Sequence, residues 1–319
     1  MIRIAVDAMG GDTAPQAEIA GALQALKSLP QGFLIQLVGR SDSINSELAK
    51  YPDADRSRLE IHEAAEVIGM AEKPLAAVRS KRKSSIVIGL GLQKAGASDA
   101  FVSAGNTGAL LAASTLLLGL HDGVERATVA TLFPTANQPV LVLDGGANVD
   151  CSPRELLGFA YLGSVYMRDV LRRPSPTVGL LNVGEEEEKG NAISREAHSL
   201  LRRSSRLHYI GNIEGRDIVA GHHKFGVVDV VVCDGFVGNV ILKFYESVAH
   251  LFVNLVKERA PDVLGRPEIK ELFRILDYSE YGGAPLLGVK GVSIICHGLP
   301  PPTPSRMPSG WRFNPSRWI

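Results

Sequence analysis

The sequence is poor in cysteine, in aromatic side chains and in net charge. Its three cysteines, Cys151, Cys233 and Cys296, are far apart and form no C-x-x-C pair. So small and odd a number argues against a disulfide framework and suits a reducing compartment. Acidic and basic side chains number 34 each, which argues against the broad basic surface of a nucleic-acid-binding protein. A local basic patch for an anionic substrate remains compatible with this balance.

Long hydrophobic runs and several familiar motifs are also missing. No stretch reaches the roughly 18 uninterrupted apolar residues of a membrane span, and residues 1–7 read as a strand rather than as the start of a signal peptide. We therefore expect a cytoplasmic protein. The glycines at 89–96 match neither a complete dinucleotide fingerprint nor a P-loop, and no zinc-binding cluster or nucleophile-elbow serine is present. The sequence thus predicts neither a metal nor a cofactor.

Apolar runs of strand length alternate with helical segments along most of the chain. Most of the runs are continuously apolar, which is typical of strands that are buried on both faces. Such alternation predicts an α/β fold with a mostly parallel sheet covered by helices. The predicted strands are 2–6, 33–38, 100–102, 140–143, 178–181 and 227–232, and the predicted helices are 15–28, 84–95, 106–119, 153–172, 191–203 and 236–259.

Two segments depart from this rhythm. Residues 244–276 are helical with an interruption at Pro261, and apolar residues from Phe244 to Val256 recur there at helical spacing. This stripe packs on the protein's own core or on a second copy, or it lies on a membrane surface. The tail at 299–319 contains six prolines and both tryptophans of the chain, and it predicts an irregular segment.

Glycine and small polar residues are concentrated where the predicted strands end. In an open α/β sheet, ligands bind at the carboxyl ends of the strands, so five such exits on one edge predict a binding site. Glycine permits close approach of the backbone to a ligand, although an aspartate at such a position also serves as a helix cap or turn residue. The five exits are 7–12, 103–108, 144–148, 182–185 and 234–239.

Anionic chemistry is indicated by one of these exits and by two lysines. The segment 103–108 opens a helix, whose first backbone N–H groups and dipole favour a phosphate. Lys189 follows four glutamates at a strand exit, where it reaches a phosphate or an acyl oxygen unless the run is simply a solvated face. Lys243, one turn into a predicted helix, is either a second positive group or a surface lysine.

Seven motifs together resemble one known family. They lie, in order, at 6–12, 102–108, 144–151, 181–185 with 189–191, 211–216, 233–239, and 277–287 with 295–298. In these residues the chain resembles the bacterial phosphate acyltransferases, the PlsX family, from residue 1 to about 298. We therefore predict one α/β domain at 1–298, with a helical protrusion at about 244–276. The tail at 299–319 departs from the family, and an altered coding sequence is our hypothesis for it.

The resemblance implies a fold, an activity and a set of partners. The implied fold is a three-layer α/β/α sandwich akin to phosphotransacetylase and isopropylmalate dehydrogenase. The implied activity moves a fatty acyl group from an acyl carrier protein thioester to inorganic phosphate, which yields acyl phosphate for phospholipid synthesis. The implied partners are acyl carrier protein, phosphate, a second copy of the chain, the membrane surface and the membrane glycerol-3-phosphate acyltransferase.

This chemistry needs no covalent nucleophile, because phosphate is itself a nucleophile and a thioester is a reactive donor. The protein has to position phosphate and stabilise the oxyanion. The residues expected to act in catalysis are Lys189, Asp234, Asn239 and Asp144. The residues expected to bind substrate or phosphate are Asp7, Gly10, Gly11, Ser103, Gly105, Asn106, Thr107, Gly108, Asn148, Asn182 and Lys243. Two alternatives stay open: an NAD(P)-dependent decarboxylating dehydrogenase of similar fold, and a noncatalytic module that binds acyl carrier protein or membrane.

Overall fold

Thirteen strands and ten α-helices make up the part of the chain that this computed structural model describes, residues 1–135, 138–276 and 282–296. The strands are β1 Ile2–Asp7, β2 Phe33–Gly39, β3 Leu59–Glu63, β4 Ala100–Ser103, β5 Thr128–Phe133, β6 Val140–Leu143, β7 Thr177–Leu181, β8 His208–Ile213, β9 His222–His223, β10 Gly226–Val227, β11 Val230–Val232, β12 Ala284–Leu287 and β13 Ser293–Ile295. The helices are α1 Gln16–Ser28, α2 Ser41–Leu48, α3 Pro74–Ser80, α4 Ser85–Lys94, α5 Thr107–Leu117, α6 Pro153–Asp169, α7 Ala192–Arg203, α8 Gly215–Ala220, α9 Gly235–Arg259 and α10 Pro267–Leu276.

These elements form two compact units. The first contains residues 1–127 and 282–296, so the chain leaves it and returns, and the second contains the described residues from 128 to 276. The single domain expected at 1–298, with its protrusion at 244–276, stays a prediction. The tail at 299–319 and two parts of the last family motif, 277–281 and 297–298, lie outside the described residues.

Parallel strands dominate the first unit. Its strand order is β3-β2-β1-β4-β13-β12, and only the β12–β13 pair is antiparallel. Strand β1 pairs with β4 so that Val6 lies opposite Val102, and β13 pairs with β4 so that Ile295 lies opposite Ser103. Because these three strands are parallel, the residues that follow them lie at the same edge of the sheet.

The second unit repeats this arrangement. Its strand order is β5-β6-β11-β7-β8, with β5 antiparallel and the other four strands parallel. Strands β6 and β11 are fully buried apolar runs in which Val142 lies opposite Val231. The residues that follow β6, β11, β7 and β8 therefore lie at one edge of this sheet. Strands β9 and β10 form a separate antiparallel hairpin.

Local chemistry explains where the main helices begin. Ser152 caps α6 by accepting a hydrogen bond from the backbone of Glu155, and the Glu155 side chain accepts one from the Ser152 backbone in return, with Pro153 at the first helical position. Asn106 and Asp234 cap α5 and α9 by accepting the backbone N–H groups of Ala109 and Val237. The predicted start of α6 is confirmed, and two of the predicted strand exits double as helix caps.

The apolar stripe of α9 is not packed on the described core. Only Gly235, Gly238 and Leu242 of this helix are buried, whereas Phe244 is 70% exposed and Leu251, Phe252 and Leu255 are also exposed. Among the described residues, α9 is long and apolar enough to cross a membrane by length and composition alone. The interpretation of this stripe as part of the protein's own core is therefore wrong for Phe244, Leu251, Phe252 and Leu255 within the described chain.

Close packing in the first unit requires one particular glycine. A Cβ atom at Gly89 of α4 would overlap the ring of Phe101, which is fully buried in β4. Two residues further along the same helix, a Cβ atom at Gly91 would meet nothing within 4 Å. Helix α4 thus contacts the sheet through the bare backbone at Gly89, and Gly91 faces open space.

We expect Gly89→Ala to lower the free energy of unfolding by about 1–3 kcal/mol, because overpacking against a buried ring outweighs the gain in helix propensity. Gly91→Ala is the matched control and should raise the free energy by about 0.5–1 kcal/mol through helix propensity alone. Urea unfolding midpoints of the two variants check this. Equal midpoints would mean that α4 does not approach the Phe101 ring so closely.

Candidate active site at the strand exits

A buried carboxylate organises the strand exits of the first unit. The Asp7 side chain is buried, and its Oδ1 accepts a hydrogen bond from the Met9 backbone N at 3.1 Å. Its Oδ2 accepts one from the Ser103 hydroxyl at 2.7 Å, and the same hydroxyl accepts the Gly105 N–H at 3.0 Å. Burial raises the pKa of Asp7, while hydrogen bonds from Ser85, Ser103 and Met9 oppose the rise. Asp7 and Ser103 therefore tie two loops together.

The glycines of the first exit have a packing role. A Cβ atom at Gly10 would overlap Asp7 Oδ2 and lie 2.9 Å from the Gly105 backbone N. A Cβ atom at Gly11 would overlap Oε1 of Glu18. The backbone of this loop consequently lies directly against two carboxylates, and larger residues do not fit there.

Asn106 uses its whole side chain within the protein. Its Oδ1 accepts the Ala109 N–H at 3.0 Å, and its Nδ2 donates to the carbonyl oxygens of Gly69 and Met70, each at 3.1 Å. It is thus the cap of α5 and a tether for the loop at 69–70. The backbone N–H groups of Thr107 and Gly108 lie in the first turn of α5, where N–H groups have no acceptor within the helix. These amides, rather than the asparagine side chain, are available to an anion.

Glu18 is a residue of this region that the sequence analysis missed. It lies in the first turn of α1, and its Oε2 is buried without a hydrogen-bond partner in the described chain. Burial raises the pKa of Glu18 to about 7, one hydrogen bond to its own backbone opposes this, and the charge of Asp7 adds to it. A glutamate in a helical first turn is ordinary in sequence, so no local pattern marks it.

A second buried carboxylate organises the exits of the second unit. The Asp144 side chain is fully buried, and its Oδ1 accepts the N–H groups of Gly146 and Ala147, each at 2.8 Å. Its Oδ2 accepts the Asn148 backbone N–H at 3.1 Å and is also contacted by Asn148 Nδ2. Burial raises the pKa of Asp144, and these four hydrogen bonds oppose the rise. Asp144 holds the loop at 145–148 in shape.

The first turn of α9 packs on this loop. The Gly235 N–H donates to the Asn148 carbonyl at 2.7 Å, and a Cβ atom at Gly238 would overlap the Asp144 carbonyl oxygen. Asp234 caps the helix by accepting the Val237 N–H at 2.8 Å. The Asn239 side chain lies beside Gly146, is exposed, and makes no hydrogen bond within the described residues. Asn239 therefore presents an unused amide at this edge.

The loop after β7 presents Lys189. Asn182 fixes this loop, since its Nδ2 donates to the Lys189 carbonyl at 3.2 Å and its Oδ1 accepts the Val183 N–H at 2.8 Å. Gly190 has a φ of +89°, and a Cβ atom there would overlap Asn182 Oδ1 and Ser194 Oγ. The Lys189 side chain is exposed, and its ammonium makes no ion pair within the described residues. Asn182 shapes the loop, and the Lys189 ammonium stays exposed at its surface.

The glutamates before Lys189 are partly paired. Glu185 contacts the Lys224 ammonium, and it also lies 3.6 Å from a guanidinium nitrogen of Arg216 and 3.6 Å from His223 Nε2. The hydrogen bond from Lys224 holds the pKa of Glu185 below its usual value. Glu187 pairs with Arg202 of α7. The start of the Lys189 loop is thus anchored by charge on the β9–β10 hairpin and on α8.

Lys243 is paired within its own helix, and two of the cysteines are shielded from ionisation. The Lys243 ammonium pairs with Glu246 at 2.9 Å on the surface of α9, which supports its interpretation as a surface lysine. Burial raises the pKa of the Cys296 thiol to about 12 and that of Cys233 well above its usual value. A thiolate nucleophile is therefore disfavoured at both positions. Within the described residues, no three His, Cys, Asp or Glu side chains are grouped to hold a metal ion.

Solved structures of phosphotransacetylases share this fold. The structure of EutD phosphotransacetylase from Staphylococcus aureus matches with a TM-score of 0.58 and 16% identity, over 93% of this chain and 88% of that one. A phosphotransacetylase from Streptococcus pyogenes matches with a TM-score of 0.59 and 14% identity, over 93% and 89%. The predicted α/β fold with a mostly parallel sheet, of the phosphotransacetylase class, is confirmed.

The chain belongs to the family described as fatty acid synthesis protein, whose model matches residues 2–301. Phosphate acyltransferases of Desulforamulus reducens and Heliobacterium modesticaldum are each 48% identical to it, over 93% of this chain and 89% of theirs. The phosphate acyltransferase of Nostoc punctiforme is 47% identical over 93% and 88%. The resemblance predicted from the sequence motifs is thereby confirmed.

The raised pKa of Glu18 gives a testable pH dependence of stability. Its pKa of about 7, against a usual 4.5, means that the folded protein keeps this proton to higher pH than the unfolded chain. The stabilising contribution is complete below pH 4.5 and is lost as the pH rises through 7. The full shift corresponds to roughly 3 kcal/mol, and since the side chain is partly exposed we expect about 1–2 kcal/mol.

Glu18→Gln should therefore be more stable than the parent protein at pH 8 and equally stable at pH 4. Thermal melts at both values measure this. Glu125→Gln, which changes an exposed glutamate of the same unit, should show no such pH-dependent difference. A Glu18→Gln variant that gains nothing at pH 8 would show that this carboxylate ionises normally.

Proposed function

We propose that this protein is a phosphate acyltransferase that moves a fatty acyl group from an acyl carrier protein thioester to inorganic phosphate. The observation that carries the proposal is the identity of 48% to phosphate acyltransferases over 93% of the chain. The product, an acyl phosphate, serves phospholipid synthesis. An oxygen of phosphate attacks the thioester carbonyl, the carbon–sulfur bond breaks, and the carrier leaves as a thiolate that takes up a proton.

The groups assigned to this reaction in the second unit are those whose polar atoms are not already used. Lys189 and Asn239 are exposed at strand exits, and no hydrogen bond or ion pair of their side-chain nitrogens occurs within the described residues. An ammonium and an amide of this kind stabilise the charge of a phosphate or of a tetrahedral oxyanion. Asp144, Asn148, Asp234 and Asn182 hold the loops that present them.

The first unit offers an anion-binding feature of its own. The first-turn amides of α5 at Thr107 and Gly108 are open to a phosphate oxygen, and we assign them that role. The network of Asp7, Ser103 and Gly105 holds the preceding turn in place. Gly10 and Gly11 allow this turn to pack closely, so their contribution to phosphate binding is through the backbone.

Turnover tests the proposal directly. The purified protein, incubated with acyl carrier thioester and phosphate, should release free carrier thiol and form acyl phosphate only when phosphate is present. Release of free carrier thiol that does not depend on phosphate contradicts the proposed transfer to phosphate. Turnover of a hydroxy-dicarboxylate with NAD(P) would instead favour the dehydrogenase, and carrier binding without any turnover would favour the noncatalytic module.

Lys189→Ala should lower kcat/KM for the acyl carrier thioester by about 10²–10³-fold, because a charge at the reacting centre is lost. Lys189→Arg, which retains the charge with a different geometry, should recover part of it. Lys270→Ala removes an exposed lysine of α10 in the same unit and is the control, with unchanged kinetics. An unchanged rate for Lys189→Ala would mean that Lys189 is only a solvent-exposed surface residue.

We further propose that the protein acts in the cytoplasm as a homodimer at the membrane surface, next to the membrane glycerol-3-phosphate acyltransferase. The support is α9, whose side chains at Phe244, Leu251, Phe252 and Leu255 remain exposed in the described chain. Such a patch marks a contact with another protein or with lipid. Its flanking lysine and arginine, Lys257 and Arg259, suit an anionic lipid surface.

The double variant Leu251→Glu, Phe252→Glu should lower partition onto anionic vesicles at least about 10-fold, since each buried apolar side chain is worth about 1.5–3 kcal/mol. Vesicle flotation measures membrane binding, and the molecular mass of the protein in solution is measured in parallel to detect the dimer. The control His250→Glu, Asn254→Glu adds the same charge at exposed polar positions of the same helix. Loss of the dimer with retained flotation assigns the face to the second copy, and loss of neither contradicts the proposal.

A further inference from the structure

One stretch of the first unit concentrates positive charge in a chain whose acidic and basic residues are equal in number. Residues 73–83, which we name the basic segment, contain five basic side chains and no acidic one. They are Lys73, Arg79, Lys81, Arg82 and Lys83. The segment comprises α3 and the turn that leads into α4. A surface of one sign over so short a stretch attracts a partner of opposite charge.

Most of this charge is not used within the protein. Lys73, Arg79, Arg82 and Lys83 are exposed, and none of their side chains makes an ion pair within the described residues. Lys81 differs, because its ammonium is held by Glu72 at 2.6 Å and by the Val67 carbonyl at 2.8 Å. Four exposed cations therefore remain for a partner.

The backbone that carries these cations is well ordered by its own contacts. Ala77 and Val78 bury one side of α3, and Glu66 accepts the backbone N–H of Lys83 at 2.8 Å. A solvated, fraying charge run has no such anchors. The exposed Met70 and Leu75 lie on the same stretch of chain, so an apolar contact accompanies the charge, as at many protein interfaces.

The basic segment is joined to the start of α5. Pro74 packs against Gly108, where a Cβ atom would lie 2.6 Å from Pro74 Cγ. Asn106, the cap of α5, also holds the carbonyl groups of Gly69 and Met70 just before the segment. The cations consequently stand beside the first-turn amides to which we assigned phosphate.

We propose that the basic segment is the docking surface for the acyl carrier protein, through an acidic recognition surface on the carrier. The inference rests on the proposed function, in which the acyl group arrives on a carrier. The thioester is borne by a prosthetic arm, so the carrier body has to bind outside the reacting centre. A nucleic acid is a poorer fit, because 73–83 contains no aromatic side chain for base stacking.

The triple variant Arg79→Glu, Arg82→Glu, Lys83→Glu tests this proposal. We expect kcat/KM for acyl carrier protein to fall about 10–100-fold, mainly through KM, because charge complementarity and steering are reversed. The acyl thioester of free pantetheine carries the same reactive group without the carrier body, and its kcat/KM should stay within about 2-fold of the parent value. Lys81 is left unchanged, because it holds Glu72.

The control variant Lys27→Glu, Arg40→Glu, Lys94→Glu makes the same change in net charge at exposed basic residues of the same unit. Lys27 and Lys94 lie in the last turn of a helix, as Arg79 does, so the control perturbs helix ends at least as much as the test variant. This control should keep the parent value of kcat/KM for acyl carrier protein. Equal losses in both triple variants would show that net charge, rather than this surface, governs the rate, and would overturn the inference.

Binding of labelled carrier protein, measured by fluorescence anisotropy, gives a readout that does not need turnover. The parent protein should lose affinity as salt rises, because exposed charges are screened, and the triple variant should bind weakly at every salt concentration.

If the parent forms no acyl phosphate from either donor, the proposed function fails, and the binding data still decide whether the carrier docks here. Unchanged carrier affinity in the triple variant overturns the inference. A triple variant that keeps its carrier affinity and loses binding to anionic vesicles would assign the basic segment to the membrane instead. If the triple variant unfolds, Arg79→Gln with Arg82→Gln provides the same comparison at lower cost in stability.

Discussion

A carboxylate that is buried where a strand ends has to be surrounded by hydrogen-bond donors, since an unpaired buried charge is too costly to keep. Both units meet this constraint in the same way. The chain turns back after β1 and β6 and presents N–H groups to Asp7 and Asp144. The turns are tight enough that a side chain at Gly10 or Gly238 would overlap them. The groups that we propose for substrate binding are those whose polar atoms this arrangement leaves unused.

Much of the fold could be predicted because the strands between helices are continuously apolar. Strands β6 and β11 are such runs, and both are fully buried. Strands β5 and β8 were missed, since threonine, glycine, histidine and asparagine interrupt their apolar character. The antiparallel direction of β5 and β12 has no local signature, because a buried run looks the same in either direction.

The sequence predicted which residues lie at the strand exits, and it predicted less well which contacts each of their side chains makes. The exits contain the expected residues, yet Asn106 and Asn182 are engaged with their own loops, and Lys243 pairs along α9. Which side chain remains open depends on neighbours that are distant in sequence. Glu18 illustrates this, because its environment is created by its burial and by Gly11, which has no side chain to displace the carboxylate.

Helix α9 joins two features that are usually separate. Its 25 residues span about 37 Å at 1.5 Å per residue; the first turn is interlocked with the Asp144 loop, and the far turns carry the uncovered apolar face. In the membrane-bound state that we propose, this face would lie on a bilayer, and the helix would set the height of the proposed site above the lipid. An acyl phosphate is a mixed anhydride and is prone to hydrolysis, so its release close to the membrane would, under this proposal, limit its time in water.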